Sequence, residues 1–135
     1  MSLFSIFDVS GSGMSAQSIR LNTTASNLAN AENISGSPEQ VYRSRQPVFA
    51  VMMDSFGFDV KGVKVTNVIE SQAEPHKEYA PDNPLSDEQG FVYLPNVNVI
   101  EEMANMISAS RSYQNNVEVM NTAKEMLLTT LRLGQ

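Results

Sequence analysis

The sequence predicts a mainly α protein with a small β-rich insert: antiparallel, coiled-coil-like N- and C-terminal helices, and an outer β domain between them. Three observations predict it. Apolar residues recur at helical spacing through both ends of the 135-residue chain. All six prolines and most of the glycines fall between those ends. In that middle stretch the pattern changes from a heptad to strand-like alternation. The expected division is therefore residues 1–30 with 98–135 as one helical unit, and 31–97 as the insert.

The first element spans residues 2–30. Phe7, Met14, Leu21 and Leu28 recur every seven residues, and Ile6, Ile19 and Ala25 widen the stripe. Ser10-Gly11-Ser12-Gly13 weakens the helix, since an internal glycine costs about 1 kcal/mol relative to alanine. The stretch reads as one helix or as two collinear pieces. Its only charged side chains are Asp8 and Arg20, and small residues such as Ala16, Thr23, Thr24 and Ser26 are frequent. Small side chains let neighbouring helices approach closely, so this helix is expected to be contacted on more than one side.

The insert carries Val48–Met52 and Val63–Ile69 as strands, with Gly90–Leu94 as a third. Asp54-Ser55-Phe56-Gly57 and Lys61-Gly62 are expected to turn, and Pro75, Pro81, Pro84 and Pro95 keep helix out. Residues 98–133 then form the strongest element. Val99, Met103, Met106, Ser110, Tyr113, Val117, Met120, Lys124, Leu127 and Leu131 follow alternating steps of four and three, a coiled-coil seam. Asn98 is the expected N-cap, Glu101 and Glu102 suit the positive helix end, and Arg132 and Gly134 are stop signals. Such a helix is about 50 Å long and projects from a domain of this size. Burial along one seam falls short of the cost of ordering both helices. Either the arms fray in the free chain, or helices of other copies complete the packing.

Composition excludes several classes. A formal charge of −6 and a pI near 4.6 offer no basic field for nucleic acid. No run approaches the roughly 18 apolar residues of a membrane span. Charged residues are only 18 %, while Ser, Thr, Asn and Gln supply roughly 30 %. Amides and hydroxyls are buried at lower cost than ions, which suits surfaces that lie against protein. The absence of cysteine excludes disulfides, thiolate nucleophiles and sulfur-ligated metals. The N-terminus lacks the basic region of a cleavable secretory signal, so the expectation is either a cytoplasmic protein or export by another route.

No chemistry assembles. His76, the only histidine, stands in the polar stretch Glu74–Glu78, read as a loop, without a second ligand at metal spacing. Asp82–Glu88 lacks the ligand alternation of a calcium loop and reads as a turn. Ser10–Gly13 lacks the following Gly-Lys-Ser/Thr of a phosphate cradle. Glu101 and Glu102 need no role beyond the helix start. No catalytic residue, cofactor or metal is therefore expected.

Two segments carry a resemblance. Leu21-Asn22-Thr23-Thr24-Ala25-Ser26-Asn27-Leu28-Ala29-Asn30-Ala31 resembles the N-terminal motif of bacterial flagellar rod, hook and hook-associated proteins. Asn96–Ile107 followed by Ser110-Arg111-Ser112-Tyr113-Gln114-Asn115-Asn116 resembles their C-terminal motif. Gly62-Val63-Lys64-Val65, Asn83-Pro84-Leu85, Gly90-Phe91-Val92 and the ending Thr130–Gln135 look specifically like a proximal rod protein. Gly36 and Tyr42 are separated by five residues where many axial proteins have Gly-Tyr adjacent, a departure that agrees with the proximal subgroup.

The resemblance implies a structural subunit of the flagellar rod, assembled helically around the export channel, transmitting torque and needed for motility. It implies partners of several kinds: other copies of the chain, proximal and distal rod proteins, the rod–MS-ring junction protein, the MS ring, and the flagellar type III export apparatus. It implies a periplasmic position in the basal body, export without a cleaved signal, and no nucleic acid or membrane span. The implied assembly surface comprises Phe7, Met14, Leu21, Ala25, Asn27, Leu28 and Asn30 with Val99, Met103, Met106, Tyr113, Val117, Met120, Leu127 and Leu131. For Asn27 and Asn30, hydrogen bonding where the chain turns outward and plain helix capping stay equally open. The alternatives are another axial protein, a cytoplasmic helical-hairpin secretion adaptor or chaperone, and a small hydrolase built on His76.

Overall fold

The computed structural model describes residues 3–53 and 60–134. Helix α1 (Leu3–Ala29) runs unbroken through Ser10–Gly13, so the stretch is one helix and not two. Gly13 packs beside the C-terminal helix: a Cβ there would lie 2.8 Å from the Asn116 side-chain amide nitrogen, so a larger residue would have to displace that amide. The helix tapers off in tight turns, with Asn30 N–H donating to Ser26 C=O at 3.1 Å and Ala31 N–H to Leu28 C=O at 3.2 Å.

Strands β1 (Arg45–Met53) and β2 (Val60–Glu70) form an antiparallel ribbon whose register runs from Arg45 opposite Glu70 to Met53 opposite Val60. The ribbon leans on α1. Both strands are longer than their apolar runs, because pairing continues through residues that alternation alone does not mark. Lys61 and Gly62, expected to turn, lie inside β2 instead. A register shift between Met52 and Met53 leaves Lys61 as the extra residue. Gly62 then adopts φ +148°, a conformation that only glycine takes without strain. The expected turn at Asp54–Gly57 lies outside the described residues.

A second antiparallel pair, β3 (His76–Tyr79) with β4 (Phe91–Leu94), corrects the reading of residues 74–78 as a loop. His76 starts a strand whose four residues are all exposed, and no apolar alternation marks it in the sequence. Ser35 closes the other side of β4, its N–H and C=O each bonded at 2.9 Å to the backbone of Tyr93. Helix α2 (Val99–Leu133) follows. Asn98 caps it as expected, Oδ1 accepting from Ile100 N–H at 3.1 Å and from Glu101 N–H at 3.3 Å. Gly134 ends it with φ −90°, not in the left-handed form common after helices.

The core is slight. Among the described residues the buried apolar side chains are Ala16, Ala31, Val41, Val92, Pro95, Ala109 and Ala123, and only Val92 and Asn27 are large and fully enclosed. Large apolar residues crowd the surface instead, along α2 and on the β1–β2 ribbon. Single exposed apolar residues are ordinary; runs of them along whole elements mark contact surfaces.

Candidate assembly interface

The two helices pair antiparallel, as a ladder of contacts records. Gly11 approaches Met120, Gly13 approaches Asn116, and the Arg20 guanidinium donates to Asn105 Oδ1 at 3.0 Å. The seam between them is made of small and polar residues. Ser10, Ala16, Thr23, Thr24 and Asn27 are buried on α1; Glu102, Ala109 and Ala123 are buried on α2. The last three share one heptad position with Asn116, one residue ahead of the row Met103, Ser110, Val117, Lys124 and Leu131.

That offset decides where the expected surface residues lie. Phe7, Met14, Leu21, Leu28, Asn30, Met106, Val117, Met120 and Leu127 are half-buried at the flanks of the seam. Ala25, Val99, Met103, Tyr113 and Leu131 are exposed, Met103 at 53 % and Leu131 at 68 %. Asn27 alone of the set is buried outright. The large heptad residues therefore do not close the hairpin's interior. Packing on alanine, serine and threonine brings the backbones together and splays the methionines and leucines to either side. Among the described residues the end of α2 has no helical partner, and Leu128, Leu131 and Leu133 are exposed there.

At the opposite pole the chain leaves α1 for the ribbon, and Asn27 fixes that exit. Its Oδ1 accepts from Arg45 N–H at 2.9 Å and from Tyr42 O–H at 2.8 Å, while its Nδ2 donates to Arg45 C=O at 2.8 Å. One side-chain amide thus pairs with both backbone groups of Arg45, as a neighbouring strand would. Ser26 extends the network to the Tyr42 hydroxyl at 3.2 Å. Asn30 acts locally: its Nδ2 donates to Ser26 C=O at 2.8 Å and its Oδ1 accepts from Asn33 at 2.7 Å. Of the two roles open for these asparagines, Asn27 holds the outward turn and Asn30 finishes the helix.

One anchor and one buried acid escaped sequence reading. Ser12 Oγ donates to Val9 C=O at 2.9 Å and accepts from Val63 N–H at 3.1 Å, which ties β2 to α1 beside Gly62. Glu102 is buried although it belongs to a pair read as helix-start acids. A serine between two glycines and a second glutamate in a first turn have ordinary local explanations, so neither signals a tertiary contact.

Charge chemistry is sparse. Arg45 and Glu70 pair at 3.0 Å across the ribbon, both about half exposed, a contact worth little in water. The Asp87 carboxyl is held below its ordinary range, chiefly by the Phe91 N–H it accepts. Burial opposes this, while the Gln89 N–H, the Tyr93 hydroxyl and Lys77 reinforce it. The same bond to Asp87 pushes the Tyr93 phenol up. Among the described residues no three His, Cys, Asp or Glu side chains gather as a metal site, and no helix is long and apolar enough to cross a membrane.

Both helices match known families. Residues 7–32 match the family described as flagella basal body rod protein, and residues 88–133 match flagellar basal body rod FlgEFG protein C-terminal. The whole chain is 56 % identical to the whole flagellar basal-body rod protein FlgC of Escherichia coli O6:H1 and 55 % identical to that of Salmonella typhimurium. The FlgC of Buchnera aphidicola subsp. Schizaphis graminum is 44 % identical, again over the full length of both chains. With end-to-end identity this high, and with rod-family matches on the two helices that form the hairpin, the chain belongs to the FlgC family of flagellar basal-body rod proteins.

Proposed function

We propose that the chain is a structural subunit of the bacterial flagellar basal-body rod, a helically assembled shaft that carries torque from the motor to the hook. Residues 1–30 and 98–135 form its inner-tube unit around the export channel, and 31–97 its outer unit. Its partners are further copies, the other proximal and distal rod proteins, the junction protein at the MS ring, and the ring itself. The flagellar type III apparatus exports it without cleavage to the periplasmic rod. The expected interface set, from Phe7 to Asn30 and from Val99 to Leu131 apart from the buried Asn27, supplies its subunit contacts. It is no enzyme.

One observation carries this reading. The helical hairpin closes on small residues and leaves its large apolar side chains half-buried at the flanks or exposed, the reverse of a domain that folds for its own sake. Many such contacts in parallel transmit torque without any single strong bond. The experiment is deletion and complementation, followed by isolation of basal bodies and labelling of a tagged chain. The expected result is loss of swimming without the chain and label in the rod when it is restored. Intact rods without it, or a chain that stays in the cytoplasm bound to a client, would overturn the proposal.

A further inference from the structure

We propose that Met103 and Met126, on the exposed side of α2, form a reversible oxidation site: as sulfoxides they keep the chain out of the rod, and reduction readmits it. This inference rests on the rod-subunit reading and adds a chemical control to it.

The chain has eight methionines and no cysteine. Thiols and thioethers are the side chains that two-electron oxidants attack first, and only thioethers are present here. The fold sorts them. Met14, Met106 and Met120 are half-buried at the flanks of the helix seam. Met52 and Met53 are exposed on the ribbon, while on the hairpin Met103 is 53 % and Met126 56 % exposed. Both hairpin thioethers stand inside apolar runs. Ile100 and Ile107, about one turn to either side of Met103, are 80 % and 55 % exposed. Met126 lies midway between the exposed Val119 and Leu133 at heptad spacing, and it lines a groove of about 230 Å³ with Ile6, Val119 and Ala123. These runs are the surface that neighbours cover in the rod-subunit reading, and flexible thioethers fit such contacts well.

The oxidant class is a hypohalous acid. With hypochlorous acid the methionine sulfur gains one oxygen and loses two electrons; the chlorine takes both electrons and leaves as chloride, with a proton released. A methionine sulfoxide reductase reverses the change: two thiols close to a disulfide, the thioether returns, and the oxygen leaves as water. The sulfoxide is polar and hydrated where the thioether was apolar. Closing a neighbour's apolar side chains over it strips that hydration, so the contact is weakened at the step where the rod needs it. Assembly itself shields both side chains, so the control acts on chains not yet incorporated.

The test uses cells that lack methionine sulfoxide reductases and begin flagellar export only on induction. They express the natural chain beside a full-length variant carrying Met103→Leu and Met126→Leu, receive a brief pulse of hypochlorous acid, and are then induced. Peptide mass spectrometry counts the oxygen gained at each methionine, in the soluble pool and in isolated basal bodies. In the soluble pool Met103 and Met126 are expected to oxidise well ahead of Met14 and Met106. In the rods their sulfoxides are expected to be roughly tenfold rarer than in the pool. The ratio of variant to natural chain in the rods, referred to the same ratio without the pulse, rises accordingly, and a restored reductase cancels the rise. Because the sulfoxide count is taken on the natural chain, it holds even where the variant enters rods poorly. Half-buried methionines that oxidise as fast, sulfoxides equally frequent in pool and rods, or a ratio unmoved by the pulse overturns the site. Label in isolated basal bodies decides the rod reading independently, so any of these three results leaves that reading standing.

Discussion

The elbow of the hairpin and its free pole are built from opposite materials. At the elbow, three hydrogen bonds to one asparagine and the Ser26–Tyr42 contact satisfy buried polar groups within the chain. At the free pole α2 carries exposed leucines and, among the described residues, no helical partner. The elbow is complete as it stands, and hydrogen-bond geometry sets its shape. The pole is complete only in company. One chain thus separates what must be fixed before assembly, the angle at which the insert leaves the helices, from what assembly itself supplies.

The largest effect that would break this contrast is expected from charge placed on the outward apolar row. Met103 is exposed, so Met103→Asp should change monomer stability by no more than about 0.5 kcal/mol and yet abolish swimming. Leu127→Asp and Leu21→Asp, at half-buried flanks, should abolish incorporation and destabilise the monomer as well, because an unpaired charge is then buried. Swimming assays with basal-body isolation, alongside melts of the purified chains, separate the two outcomes. Normal rods with Met103→Asp would mean that this row faces solvent in the assembly.

Next in size is Asn27. Asn27→Ala removes a side chain that is 1 % exposed and leaves the part-buried N–H and C=O of Arg45 without their partner. Each buried unsatisfied group costs about 1–3 kcal/mol, so a loss of about 3 kcal/mol in denaturant titration is expected. A loss below about 1 kcal/mol would show water replacing the amide, and the elbow would not be the rigid part.

Gly62 comes third. A Cβ there would overlap Ser12 Oγ, and φ +148° is strained for any other residue. Gly62→Ala should cost about 1–3 kcal/mol and raise hydrogen exchange at Val63 N–H, whose acceptor is that hydroxyl. Unchanged exchange would mean the ribbon does not depend on this anchor.

These three positions also show what the sequence could and could not disclose. Both helices, the Asn98 cap and the apolar strands were legible, because each repeats a local period or an end signal. Asn27 stood out only through the motif around it; its pairing with Arg45 crosses 18 positions that no local rule connects. The helix interface was read one heptad position away from where it lies. Large residues at steps of four and three look like a buried seam, but here the small residues beside them make the closest contact. Strand β3 left no trace at all, since His76-Lys77-Glu78-Tyr79 is exposed on both faces and is held by its partner alone.

The smallest effect concerns a region that resembles the elbow in miniature. Asp87 accepts from Gln89 N–H and Phe91 N–H, both at 2.9 Å, and from the Tyr93 hydroxyl at 3.1 Å, so it organises the turn into β4. Its carboxyl titrates below the ordinary 3.8, chiefly because the Phe91 N–H favours the anion. A depressed folded value means that the stabilisation is fully present above 3.8 and is lost as pH falls from there through the folded value. Asp87→Asn keeps an acceptor and removes the charge. Tyr93 ring resonances followed during thermal unfolding should therefore show the natural chain ahead of the variant at neutral pH, with the gap closing below pH 3.8. A gap that stays constant across that range would assign the turn to its backbone hydrogen bonds alone. The contrast would then sharpen: at the elbow a side chain decides the geometry, and at this turn the side chain only follows it.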